Sequence, residues 1–194
     1  MTLDLAKSPF IPIAIGFFGL GTGYFIFGGQ ALFGYPRRTP ELDRAMGMWG
    51  IFMPGFMQFV TGVYLMVGLS WWNVYKDAPL YMAALAFTAY GVHWFVLGYE
   101  RLRGTGHDMD AWMAIPFLII SVLGMLFFFA AGDAPVGILF LGLSLIYLTE
   151  IPTRFGAINA GRLVAFWQFL TGWWLMYLTC ATTVNVGLGG HWWL

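Results

Sequence analysis

The chain has 194 residues, of which 60% are apolar, 20% aromatic and only 9% charged, against ~45–50% apolar and ~25% charged in soluble domains. A soluble fold of this size must cover itself with polar groups that the composition does not supply. Nine basic and nine acidic residues cancel, which removes any basic face for nucleic acid, and the single cysteine, Cys180, excludes an internal disulfide or a cysteine metal cluster. This is the composition of an integral membrane protein.

Charges and Gly/Pro breakers mark the spans in chain order. A helix rising ~1.5 Å per residue needs ~20 apolar residues to cross the hydrocarbon core. Six such helices are predicted, over residues 11–33, 46–70, 80–99, 111–131, 135–151 and 163–185, in one all-α domain filling residues 1–194. Unpaired peptide groups are too costly in lipid for open structures, and the period-two alternation of a barrel is absent. The first segment carries Lys7 but no small-residue cleavage site, so it reads as a span and not as a removable signal. In the first loop, Thr39-Pro40-Glu41 has the cap, proline and acid of a helix start.

The loops after the first, third and fifth spans hold Arg37, Arg38, Arg44, Arg101, Arg103, Arg154 and Arg162, whereas the other side holds Lys7 and Lys76. This bias puts both termini outside the cytoplasm. Trp71-Trp72 with Tyr75, and Trp192-Trp193, read as interfacial anchors. The absence of a targeting segment suits the inner (plasma) membrane of a prokaryote.

Most enzymes are excluded by inventory. The sequence has no GxxxxGK phosphate loop and no HExxH, and His93, His107 and His191 are scattered, where a transmembrane haem wants two facing histidines. None of the six predicted spans holds an Asp, and Glu150 stands alone near a helix end. No catalytic residue, metal or cofactor is expected. Glu150 and Arg154, four apart, read first as an ion pair on one helix face and second as a transport group.

Glycines line the first two spans, with Gly19 and Gly23 in small-xxx-small spacing and Gly47, Gly50 and Pro54-Gly55 following. Close helix packing is their first reading, and a backbone-lined path is compatible with it. Gln58-Phe59-Val60-Thr61-Gly62 nearly repeats as Gln168-Phe169-Leu170-Thr171-Gly172. An inverted 3+3 repeat would pair the second span with the fifth and not the sixth, so this reads as a recurring packing solution.

The third span carries Phe87-Thr88-Ala89-Tyr90-Gly91-Val92-His93-Trp94, which resembles the FxxYGxxW signature of the acetate uptake transporter family, the succinate–acetate transporters. Ser8-Pro9-Phe10-Ile11-Pro12 through Gly16-Phe17 resembles that family's opening motif, with Ser8 in place of its asparagine. Met48-Trp49-Gly50 through Gly55, Gln58 and Gly62 resembles its second helix. The resemblance implies six helices per protomer, assembly as a homo-oligomer (a hexamer), and a pore through each protomer for small monocarboxylates. It also implies an apolar constriction from a Phe, the motif Tyr and a Leu, which by position are Phe17, Tyr90 and Leu145. Phe18 is adjacent to Phe17, so that assignment can slip by one.

Such a ring strips water from whatever passes, and a buried carboxylate loses far more by that than its neutral acid. Phe17, Gln58, Phe87, Tyr90, Trp94 and Leu145 are therefore the candidate pore residues, with Gln58 and Tyr90 offering replacement hydrogen bonds. His93 is a candidate for pH coupling, although a histidine bonded between helices comes first. Without the family, Tyr90 and Trp94 are four apart and read as an aromatic packing stripe.

Two rivals stand beside this reading. The urea and short-chain amide channel family has six helices, external termini and a basic first internal loop, which Arg37, Arg38 and Arg44 resemble. A non-transporting membrane subunit with a foreign partner in a larger complex is the other.

Overall fold

The computed structural model describes residues 12–105 and 109–194. The opening motif up to Ile11, Lys7 and His107 fall outside the described residues. Among those described, six helices are long and apolar enough to cross a bilayer: α1 Ile13–Phe33, α2 Pro40–Ser70, α3 Pro79–Arg103, α4 Asp110–Ala130, α5 Ala134–Arg154 and α6 Gly161–Leu188. The described part is all-α, and its six long apolar helices make the protein multi-pass.

Local chemistry sets several of the ends. Thr39 caps α2, its side chain accepting from the Leu42 N–H at 3.2 Å, with Pro40 at the first helical position. α2 therefore starts six residues before the predicted 46, and it carries Asp43 with it. α4 likewise begins on Asp110, so two helices hold an aspartate where none was expected. Asp133 caps α5 by accepting from the Val136 N–H at 3.1 Å. α1 and α3 end on Gly34 and Gly104 at φ 67° and 69°, a left-handed turn that glycine adopts without strain.

α2 is not uniform. Ile51–Phe56 winds as a π-helical turn around Pro54 and Gly55, because proline cannot donate into the α ladder. The helix continues from Met57.

The helices form a ring in sequence order. Each packs on its chain neighbours, and α1 closes the circle against α6. Bare backbone permits the tightest seams. At Gly91 of α3, an added Cβ would meet Phe59 N at 2.5 Å and Gly55 O at 2.9 Å, so α2 and α3 touch main chain to main chain. At Gly19 of α1, a Cβ would meet Met53 O at 2.7 Å. The α3–α4 seam is the thinnest of the ring. α1, α3 and α5 pack on their even-numbered neighbours and face one another across the centre.

The repeated Gln/Thr/Gly string lies on α2 and α6, the two helices that flank α1. Gly62 receives Thr88 of α3, while Gly172 receives Tyr24 and Phe25 of α1. Both copies serve close packing.

Candidate functional site

Two cavities lie along the centre of the ring. A vestibule of about 550 Å³ opens at the arginine-bearing end, where Tyr24, His93, Trp94, Arg101, Tyr147 and Glu150 are among its lining residues. Toward the other end lies an apolar chamber of about 20 Å³, bounded by Phe17, Gln58, Phe87, Tyr90, Phe128 and Leu143 among other, apolar residues. That volume is about the space of one water.

The change from chamber to vestibule comes at one depth on all three inner helices. It falls between Leu20 and Tyr24 on α1, between Tyr90 and His93 on α3, and between Leu143 and Ile146 on α5. The two cavities thus lie one beyond the other along the axis, separated by a partition.

The partition is aromatic. Tyr90 lies 5.1 Å from the Phe117 ring and 6.3 Å from that of Tyr147, and His93 sits on Phe117 at 4.3 Å. Tyr24 meets Trp94 edge-on at 5.8 Å. Phe117 belongs to α4, so these contacts close the thin α3–α4 seam. The seam is also stitched by a hydrogen bond between the Tyr90 hydroxyl and Ser121 Oγ, 2.7 Å apart.

Gln58 is placed by the wide turn before it. Its Nε2 donates to Pro54 O at 2.9 Å, which fixes the amide's orientation. Its Oε1 has no hydrogen-bond partner, and the residue is 0% exposed. Leaving such an acceptor unmatched costs about 1–3 kcal/mol. On the vestibule side, His93 Nδ1 is likewise buried without a partner.

The vestibule walls carry balanced charge. Asp43 accepts from Arg38 Nε at 2.8 Å and from Arg101 Nε at 2.9 Å, and the Arg101 guanidinium lies 4.6 Å from the centre of the Phe27 ring. Arg154 Nη2 lies 3.0 Å from Glu150 Oε1 on its own helix and 3.5 Å from Asp110 Oδ2 on α4. Each arginine has an acid in reach, so the mouth is polar without a strong field of one sign. Among the described residues, no three His, Cys, Asp or Glu side chains gather as metal ligands would.

Of the sequence candidates, Phe17, Gln58, Phe87 and Tyr90 come together around the chamber, with the Phe17 and Phe87 rings 5.6 Å apart. Phe17 is 2% exposed and Phe18 is 44% exposed, which fixes the register of α1. His93 and Trp94 lie one turn further, on the vestibule wall. Leu145 lines neither cavity; Leu143 lines the chamber instead. Two residues turn a helix by about 200°, so the two leucines cannot share a face.

Sequence reasoning missed Ser121, Tyr24, Tyr147 and Asp110. Ser121 had a usable signal, as the one hydroxyl in α4. A lone polar group in such a helix faces protein or water in preference to lipid.

Neither a protein-family model nor a curated protein matches this chain. Among solved structures, the fold is similar to that of the bacterial acetate channel SatP. The TM-score is 0.68 at 17% identity, over 92% of this chain and 94% of that one. At that identity the likeness is one of fold.

Proposed function

We propose that the chain is a channel for small monocarboxylic acids such as acetate, passed in uncharged form through the chamber and its Tyr90 partition. The observation that carries this reading is the alignment of two cavities on the axis of the helix ring, one wide and polar at the arginine end and one of about 20 Å³ lined by Phe17, Phe87 and Leu143, with only the aromatic partition between them. Likeness of fold to an acetate channel supports it, as does the FxxYGxxW string whose Phe87 and Tyr90 line the narrow part. A bottleneck of phenyl and isobutyl groups replaces none of a carboxylate's hydration, whereas an undissociated acid loses little.

The path is enclosed by the helices of one chain, so each protomer of a homo-oligomer in the plasma membrane carries its own. His93, on the vestibule wall one turn from Tyr90, is the group placed to make entry depend on pH.

Uptake of labelled acetate and urea into proteoliposomes across a pH series tests the proposal. Acetate uptake that rises with the undissociated fraction supports it. Urea uptake without acetate uptake favours the second reading, a channel for short amides, which the apolar chamber also suits because an uncharged amide, like an undissociated acid, loses far less than an ion there. A foreign subunit in stoichiometric amount, with no flux of either solute, points instead to a non-transporting membrane subunit.

A further inference from the structure

We infer that the inner end of the vestibule is a binding site for a carboxylate anion, held by the hydroxyls of Tyr24 and Tyr147 and the indole N–H of Trp94. This deepens the channel reading above, on which the identity of the ligand as a small monocarboxylate rests.

The three residues form one ring by register. Tyr24 stands four residues beyond Leu20 on α1, Trp94 four beyond Tyr90 on α3, and Tyr147 four beyond Leu143 on α5. The first of each pair lines the chamber and the second lines the vestibule. Four residues make about one turn and a rise of about 6 Å. Alternate spans of a multi-pass protein run in one direction, so the step leads toward the arginine end on all three helices. Tyr24, Trp94 and Tyr147 therefore surround the axis at one depth, directly above the partition. Tyr24 and Trp94 are in edge contact, and Tyr24 and Tyr147 interact electrostatically.

Their polar atoms are uncommitted and reachable. The residues are almost wholly enclosed, Tyr24 at 2% and Trp94 and Tyr147 at 3% exposed. Among the described residues, neither hydroxyl nor the indole N–H has a hydrogen-bond partner in the protein. Yet none of the three belongs with the sealed, unpartnered atoms of the interior, such as Gln58 Oε1 and His93 Nδ1. The small surface that each residue keeps therefore includes its polar atom, and the vestibule is the cavity that all three line.

This chemistry selects the ligand. An indole nitrogen only donates, and each phenol has one O–H to donate. Three donors on three helices match a carboxylate, which accepts through two oxygens with about four lone-pair sites. An amide presents a single acceptor oxygen, and its NH₂ duplicates the donors already there. Neighbouring charge does not oppose an anion. Glu150, on the same wall, is held by Arg154 at 3.0 Å, and Asp110 lies 3.5 Å from the same arginine. Asp43 is held between Arg38 and Arg101. The rings of the three residues leave apolar surface for a short alkyl tail.

Isothermal titration of the purified protein at neutral pH, with acetate and with its uncharged isostere acetamide, tests the assignment. Tyr24→Phe and Tyr147→Phe each delete one hydroxyl and keep the ring. Neither hydroxyl has a protein partner, so thermal stability should stay at the parent's. Acetate affinity should fall about tenfold in each, the scale of a hydrogen bond to a charged group. Acetamide should bind the parent more weakly than acetate does. Trp94→Phe deletes the third donor and should also weaken acetate binding.

Parent-like acetate affinity in both tyrosine variants overturns the inference, and so does equal affinity of the parent for acetate and acetamide. A parent that binds no acetate overturns it too, as does a loss of affinity that comes with a matching loss of thermal stability. The channel reading fails separately. Acetate bound by the parent and weakened in both variants, without acetate flux into proteoliposomes, overturns the channel and leaves the carboxylate site standing.

Discussion

Phe17 of α1 and Phe87 of α3 meet with ring centroids 5.6 Å apart beside the small chamber, which Leu143 of α5 also lines. Neither phenylalanine can be moved alone, because Gly16, beside Phe17, leaves the space that the Phe87 ring fills. α1 and α3 therefore set the bottleneck jointly, and α5 supplies its most replaceable wall.

Leu143→Ala should widen that wall and admit longer acids. Flux of butyrate relative to acetate is expected to rise about tenfold, in line with about 1–3 kcal/mol per methylene of fit. Leu145→Ala, on a face that lines neither cavity, should leave the ratio unchanged. Competition uptake in proteoliposomes measures both, and equal effects at the two positions would remove Leu143 from the path.

Gln58→Leu should separate stability from transport. The variant deletes a buried acceptor without a partner, while the Pro54 carbonyl keeps the Met57 N–H. Thermal unfolding in detergent should show stability unchanged or raised by about 1 kcal/mol. Acetate flux should fall about tenfold. A loss of both would make Gln58 a structural residue and no more.

Gly91→Ala should damage the α2–α3 seam even though alanine favours helices. Its Cβ would press on Phe59 N and Gly55 O, and main chain cannot rotate aside as a side chain can. Overpacking of this kind costs about 1–3 kcal/mol. Gly91→Leu should lose the assembled protein altogether, read by size-exclusion chromatography.

Asp133, in the short turn between α4 and α5, gives a pH prediction with a definite sign. Burial holds its carboxyl above the ordinary carboxylate value, and the Val136 N–H opposes this only in part. The folded state then binds the proton more tightly than the unfolded state. This residue's contribution to stability is therefore larger on the acid side and declines as pH rises through the folded value. Asp133→Asn keeps the cap and removes that slope, so its stability should exceed the parent's at neutral pH. Asp133→Ala removes the slope as well but loses the cap, so it should lie about 1 kcal/mol below Asp133→Asn at every pH. Unfolding midpoints measured across the acid range would distinguish the three proteins, and an Asn variant that coincides with Ala would refute the assignment.

Much of the architecture is legible in the sequence. Composition specified a membrane protein, and the breaks between apolar runs specified six helices. The arginines marked the end at which the vestibule opens. The FxxYGxxW spacing put Phe87 and Tyr90 three residues apart, close enough on a helix to line one cavity.

What only the tertiary structure decided was which way each helix faces. In a soluble helix the polar side announces solvent, but a helix in a bilayer is apolar toward lipid and toward packed neighbours alike. Phe17 and Phe18, or Leu143 and Leu145, are equivalent as sequence. Packing alone buries one of each pair on the path. Partners distant in the chain were equally hidden: Tyr90 with Ser121, and Arg154 with Asp110, meet because the ring of helices closes, and no local pattern encodes that closure.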